Sequence, residues 1–396
     1  MIRPADRPRP VKRPCRWAMT MVVAAVLLGG TAAAAPAAGA APAATVHAAP
    51  TPPAPGTVIR SEPMAAPAGA NAWRVLYHSR NLAGDDIAVS GFVVAPDGPA
   101  PKRGRPVVAW AHGTTGLADA CAPSVAPDPV AGVPFVDDLL AAGYVVAATD
   151  YEGLGTPGVH PYLVGESEGR SVLDAVRAAR TLPVGAGRRV AVLGHSQGGH
   201  AALFAGEIAQ QYAPELSVRA VAAGAPVADV GAFLDFVVDS PGRAGFVPMA
   251  VAGSRAAYPE LGAVSVLSAD AQARSEVAVS ECGAAALAAF ADGDGSTLLG
   301  PDRRAPAWLR RLQENTAGRR PSAAPVLVWQ GGADDLTPEP LAAAYVTRAC
   351  AHGTPVGYRI YPDANHGTVF GAARADVLAF LGARFARAGV ADDCPG

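Results

Sequence analysis

The chain has 396 residues, half of them apolar, and a formal net charge of −2 from 32 Lys+Arg against 34 Asp+Glu. That length permits a large core and two or three domains. The near-neutral balance, with no long basic block beyond the N-terminus, leaves no surface for electrostatic capture of a nucleic acid and excludes that class of partner.

The chain opens with Arg3, Arg7, Arg9, Lys12, Arg13 and Arg16, then an apolar run over 18–28 and several Ala-x-Ala sites. This order reads as a secretory signal peptide over 1–40, with an apolar run shorter than the ~20 residues of a membrane span. Residues 41–70, mostly Ala, Pro, Gly and Thr, cannot bury a core and are expected to form a linker. Export would leave Cys121, Cys282, Cys350 and Cys394 in the mature chain. An even number in an exported protein predicts two disulfides, and spacing leaves all three pairings open.

From residue 71 the pattern is that of an α/β fold. Residues 72–79 and 87–96, split by Gly84-Asp85-Asp86, predict an antiparallel hairpin. A strand at 106–110, a helix at 136–142, a strand at 144–148 and a helix at 167–181 follow. The next strand, 190–193, is Val-Ala-Val-Leu, apolar throughout as a strand covered on both faces should be. A helix over 198–211 and a strand at 220–223 come next. Between 229 and 318 the alternation stops and the sequence is Ala-rich with helix-like pieces, which predicts an inserted, mainly helical cap. Alternation resumes with a strand at 325–330, a helix at 341–349, a strand at 356–361 and a helix at 373–388. The expected architecture is a mostly parallel sheet with helices on both faces. Its core comprises 71–228 and 319–396, and ligands gather at the carboxyl ends of the strands.

The apolar run at 190–193 leads into Gly194-His-Ser-Gln-Gly198. Such a Gly-x-Ser-x-Gly turn between strand and helix lifts the serine hydroxyl above the sheet edge, with glycines where side chains would collide. Ser196 is therefore the candidate nucleophile. A serine needs a base in hydrogen-bond reach and a third group to orient that base, in the chain order Ser, acid, His for this kind of turn. Of the histidines after Ser196, His200 sits one turn into the following helix and is expected to pack or face solvent. His352 occupies a helix stop, a favourable place for a cation. His366, in a Gly-containing loop past the last strand, is where the base belongs. Asp334 and Asp335 close the preceding strand; Asp334 is preferred, with Asp363 a remoter rival. Gln197 and the loop Ala111-His-Gly-Thr-Thr-Gly116 are expected to supply two backbone N–H donors for an oxyanion. Thr114 is chosen from that loop, with Thr115 close behind.

Other signals point away from cofactors and metals. No Cys-x-x-Cys pair or His cluster is present, and the only lysines, Lys12 and Lys102, form no phosphate loop. Asp292-Gly-Asp-Gly-Ser296 begins like a calcium loop but has Arg303 where a bidentate glutamate belongs.

With these residues in this order the chain resembles the α/β-hydrolase superfamily and, more narrowly, the secretory lipases. The narrower likeness rests on Asp119-Ala-Cys-Ala-Pro-Ser124, Asp150-Tyr-Glu-Gly-Leu-Gly155, Gly165-x-x-x-Gly169, Tyr212-Ala-Pro-Glu-Leu216 and Asp334-Asp-Leu-Thr-Pro338. The resemblance implies a cap over the site and pairings Cys121 with Cys282 and Cys350 with Cys394. It also implies a secreted lipase or esterase that needs no cofactor and acts on a small or lipid ester, with transient contact at a lipid interface. A base with the ordinary histidine pKa of ~6.5 would lose activity in acid. An exported acyltransferase or aminopeptidase on the same triad is the alternative, and a catalytically silent binding protein the remote one.

Overall fold

The computed structural model describes residues 52–292, 294–389 and 392–394. The expected signal peptide and the start of the linker lie outside these residues. Nine strands form one sheet in the order β1-β2-β3-β5-β4-β6-β7-β8-β9. Edge strand β1 (Val58–Met64), β2 (Ala70–Arg80) and β3 (Asp86–Pro96) run antiparallel. β3 then pairs antiparallel with β5 (Val145–Thr149). From there β4 (Arg105–Ala111), β6 (Ala186–His195), β7 (Ser217–Gly224), β8 (Val326–Gly331) and β9 (Val356–Tyr361) continue in parallel. All residues of β5 and β8 are buried, the signature of parallel strands covered on both faces.

Helices cover both sides. One face packs on α2 (Gly165–Ala179) and α3 (Gln197–Tyr212), through Val172, Leu173, Leu203 and Phe204. Gly165 and Gly169 let these two helices meet, since a Cβ at Gly165 would lie 2.2 Å from the Phe204 ring. The other face packs on α1 (Val136–Ala141) through Leu139. Between β7 and β8 the chain forms α4 (Val230–Val238), α5 (Phe246–Ala257), α6 (Ala269–Ala273), α7 (Ser275–Ser280), α8 (Gly283–Ala288) and α9 (Pro306–Glu314). No sheet strand falls in this stretch among the described residues, and its helices form an apolar cluster around Phe233, Met249 and Trp308 that also takes in Tyr162, Leu163 and Val164 from before α2. This helical stretch forms one unit with the sheet. α10 (Glu339–Ala351) then joins the α2 and α3 face through Tyr345, and α11 (Val369–Phe385) joins the α1 face through Val377 and Leu381.

One expectation needs correcting. Residues 58–64, assigned to the linker, form β1 along β2. Five of its seven side chains are exposed, so backbone pairing rather than burial holds it, and an edge strand of that kind leaves no apolar alternation to read. The last helix also starts at Val369, four residues before the periodicity suggests.

Two disulfides close, Cys121–Cys282 and Cys350–Cys394. The first ties the loop after β4 to the start of α8, beside a bridge between Gly116 and Cys282. The second holds residue 394 to the end of α10.

Candidate active site

Five of the parallel strands end on one rim, and each hands a polar residue to it: His112 after β4, Asp150 after β5, Ser196 after β6, Asp334 after β8 and His366 past β9. At the elbow, Ser196 takes φ 60° and ψ −120°, a region sparsely populated by any residue with a Cβ. Its neighbours must be glycine. A Cβ on Gly194 would sit 2.0 Å from the Gly198 carbonyl oxygen, and one on Gly198 would sit 1.9 Å from that of Ala111. The Ser196 N–H donates to Gly224 O at 2.9 Å, which pins the turn to β7.

His366 donates from Nδ1 to Asp334 Oδ2 at 2.8 Å. Asp334 is buried, and its carboxylate also accepts from Leu336 N, Thr337 N, Thr337 Oγ1 and Gln330 Nε2 at 2.9–3.1 Å. Burial pushes this carboxyl up, but the His366 hydrogen bond and charge and the Thr337 and Leu336 N–H groups outweigh it and hold the pKa below the usual carboxylate value. Asp335 points away, exposed, and pairs with Arg243 at 2.6 Å. Asp363 is exposed. Ser196 and His366 line one cavity of about 910 Å³. Among the described residues the Ser196 hydroxyl makes no side-chain hydrogen bond.

The remaining histidines separate by environment. His352 caps the C-terminus of α10 and is exposed. His200, expected either to pack or to face solvent, is fully buried: Nδ1 meets Glu168 Oε2 at 2.8 Å and Nε2 donates to Asn315 O at 2.9 Å. His195, not singled out in the sequence, has its ring 4.5 Å from that of His366 and 4.2 Å from Phe370. Burial, with the nearby His366 charge, pushes His195 down to about 3, so it stays neutral beside the candidate base.

Of the two expected donors, one shares the cavity lining with Ser196 and the other follows it directly in the chain. Thr114 lies in the loop after β4 and Gln197 is the first residue of α3. Neither N–H donates to a protein acceptor among the described residues. Both side chains are held elsewhere: Thr114 Oγ1 bonds Tyr162 OH at 2.8 Å, and Gln197 Nε2 donates to Glu168 Oε1 and to His160 Nε2, each at 2.8 Å. Sequence reasoning missed Tyr162, Glu168 and His160; their only signal is proximity to the Asp150-Tyr-Glu-Gly-Leu-Gly155 run.

Phe92 and Trp110 wall the cavity from the sheet, Phe370 from the start of α11, and Phe246 and Leu287 from the helical stretch. No cluster of three or more His, Cys, Asp or Glu among the described residues could hold a metal. No helix there is long and apolar enough to cross a membrane.

A family model described as Secretory lipase matches residues 131–392. Lipase A of Moesziomyces aphidis is 29% identical over 256 residues, 59% of this chain and 53% of that protein. The secreted triacylglycerol lipase LIP4 of Malassezia furfur is 28% identical over 239 residues, 57% and 44% of the two chains. The chain thus spans about half the length of the curated relatives it matches. Among solved structures, lipase A of Candida antarctica superposes with a TM-score of 0.74 at 24% identity, covering 86% of this chain and 84% of the other. The fold is that of the α/β-hydrolases.

Proposed function

This chain belongs to the secretory lipase family, and from that premise we propose that it hydrolyses carboxylic esters through an acyl-enzyme on Ser196. His366 Nε2 takes the hydroxyl proton as Ser196 Oγ attacks the ester carbonyl, and the N–H groups of Gln197 and Thr114 hold the oxyanion. Asp334 keeps the Nδ1 proton of His366 in place and stabilises the imidazolium. His366 then gives its proton to the leaving alkoxide. Water repeats the sequence on the acyl-enzyme, releasing the carboxylic acid and restoring Ser196.

The observation that carries this reading is the 2.8 Å bond to a buried, ionised Asp334 from Nδ1 of His366, which lines the same cavity as Ser196. The cavity's aromatic and aliphatic walls fit an acyl chain, and the name of the Malassezia relative makes triacylglycerol the first substrate to try. The helical segment 229–318 acts in this reading as a cap that shapes the acyl pocket, because Phe246 and Leu287 come from it. Export to the extracellular space, with residues 1–40 as signal peptide, fits the two disulfides and the family.

The test is hydrolysis of p-nitrophenyl esters from short to long acyl chains, with a triacylglycerol emulsion beside them. Wild-type protein should turn over esters and Ser196→Ala should not. Rates rising toward long chains and on the emulsion mark a lipase, and a short-chain optimum an esterase. Equal turnover by Ser196→Ala would end the proposal.

A further inference from the structure

The loop between β5 and α2 touches both segments that carry the oxyanion donors. Its Tyr151, Tyr162 and His160 are all essentially inaccessible to solvent. Tyr151 OH donates to His112 O at 3.0 Å, and Tyr162 OH bonds Thr114 Oγ1 at 2.8 Å, so two phenols grip the loop after β4. His160 reaches the other donor, accepting at Nε2 from Gln197 Nε2 at 2.8 Å. Its rings connect the grips: His160 stacks on Tyr151 at 5.5 Å with planes 10° apart and meets Tyr162 edge-on at 6.2 Å.

The hydrogen positions in this cluster follow from its partners. His160 Nδ1 faces the Glu152 carbonyl at 2.8 Å and must donate to it, which leaves Nε2 as acceptor on a neutral ring. Burial, which pushes His160 down to about 4, keeps it in that form. Gln197 cannot flip its amide, because the same Nε2 donates to Glu168 Oε1. Glu168 Oε1 accepts from Leu163 N of the loop as well, at 3.1 Å. From outside, α5 presses on the loop without a side chain between them: a Cβ on Gly253 would fall 2.3 Å from Tyr162 N.

We propose that residues 151–164 form a positioning clamp that sets the oxyanion donors Thr114 and Gln197 relative to each other, with Tyr162 and His160 as positioning residues. This rests on the ester-hydrolase reading above. A tetrahedral oxyanion needs both N–H groups within hydrogen-bond distance at once, so an error in their separation costs the transition state more than the bound ester. One rigid segment touching both sides fixes that separation before substrate arrives.

The experiment uses the full mature chain and three substitutions. Tyr162→Phe removes one hydroxyl, His160→Leu removes the acceptor, and His160→Gln restores an acceptor oxygen. Rates are expressed per serine titrated with a p-nitrophenyl phosphonate, so misfolded protein does not count. A trifluoromethyl ketone, whose carbonyl becomes an oxyanion on adding Ser196, reads the donors directly. Tyr162→Phe and His160→Leu should each lower kcat about 10-fold or more, leave KM within about twofold and weaken the ketone by the same factor as kcat. His160→Gln should regain most of the loss, which a merely structural role would not predict. Unchanged kcat, or a lower kcat with undiminished ketone affinity, would overturn the clamp while leaving Ser196 catalysis standing. Wild-type protein without Ser196-dependent turnover would overturn the functional reading and the clamp together.

Discussion

Asp334→Asn isolates what the acid does. The carboxylate accepts at Oδ2 from His366 Nδ1, Thr337 Oγ1 and Gln330 Nε2, and at Oδ1 from Leu336 N and Thr337 N. Asparagine keeps the shape but has one oxygen. With the amide nitrogen in place of Oδ2 it faces three former donors; turned over, it faces two backbone N–H groups. The first arrangement is relieved only if His366 moves its proton to Nε2, and a ring protonated there cannot take the Ser196 proton. Wrong-tautomer substitutions of this kind cost about 10⁴ in kcat, or about 5 kcal/mol of transition-state stabilisation. Asp335→Asn, removing only an exposed partner of Arg243, should cost less than about twofold, since surface pairs contribute ~0–1 kcal/mol. The depressed pKa of Asp334 adds a stability arm. A carboxylate with a lowered folded pKa stabilises the protein above its unfolded pKa of ~3.9, and that contribution disappears as pH falls through the lower folded value. Urea melts of wild type against Asp334→Asn should therefore converge below about pH 4. Single-turnover kinetics on a p-nitrophenyl ester at pH 8 give the catalytic arm. Asp334→Asn retaining a tenth of wild-type kcat, or Asp335→Asn falling further than Asp334→Asn, would refute the assignment.

Gly198→Ala forces a methyl to within 1.9 Å of the Ala111 carbonyl oxygen, where only backbone can yield. Overpacking costs of ~1–3 kcal/mol are expected with the elbow displaced, read as a lower Tm together with loss of phosphonate labelling at Ser196. The disulfides close loops with sequence separations of 161 and 44 residues. The chain-entropy relation puts them at up to about 5 and about 4 kcal/mol. Cys121→Ala/Cys282→Ala should lower Tm and also loosen the cavity wall at Gly283, raising KM, whereas Cys350→Ala/Cys394→Ala should lower Tm with KM unchanged.

The elbow was legible because its chemistry is local: an apolar strand, a serine between glycines and a helix lie within a few turns of chain. The pairing of the candidate base His366, in the loop past the last strand, with the candidate acid Asp334, in the Gly-rich turn after β8, agrees with their expected chain order. The preference for Asp334 over Asp335 gains a physical reason in three dimensions, because adjacent residues in a turn point in different directions and only Asp334 meets the His366 ring. β1 escaped because five of its seven residues are exposed and it is held by its neighbour's backbone. The clamp residues escaped for a related reason. His160 and Gln197 are 37 positions apart, Thr114 and Tyr162 are 48 apart, and a Gly- and Pro-rich loop carries no periodicity to mark which of its side chains turn inward. Burial of His200 was unreadable for want of knowing that Glu168 on α2 faces it.

The central claim is that Ser196 is the nucleophile, activated by His366. Incubation of the mature protein with a p-nitrophenyl phosphonate, followed by peptide mass spectrometry, tests it most directly. One phosphonyl adduct per chain on Ser196, formed in step with loss of esterase activity and abolished by His366→Ala, is the expected result. Full loss of activity with Ser196 unmodified, or labelling at Ser196 that persists at wild-type rate in His366→Ala, would contradict it.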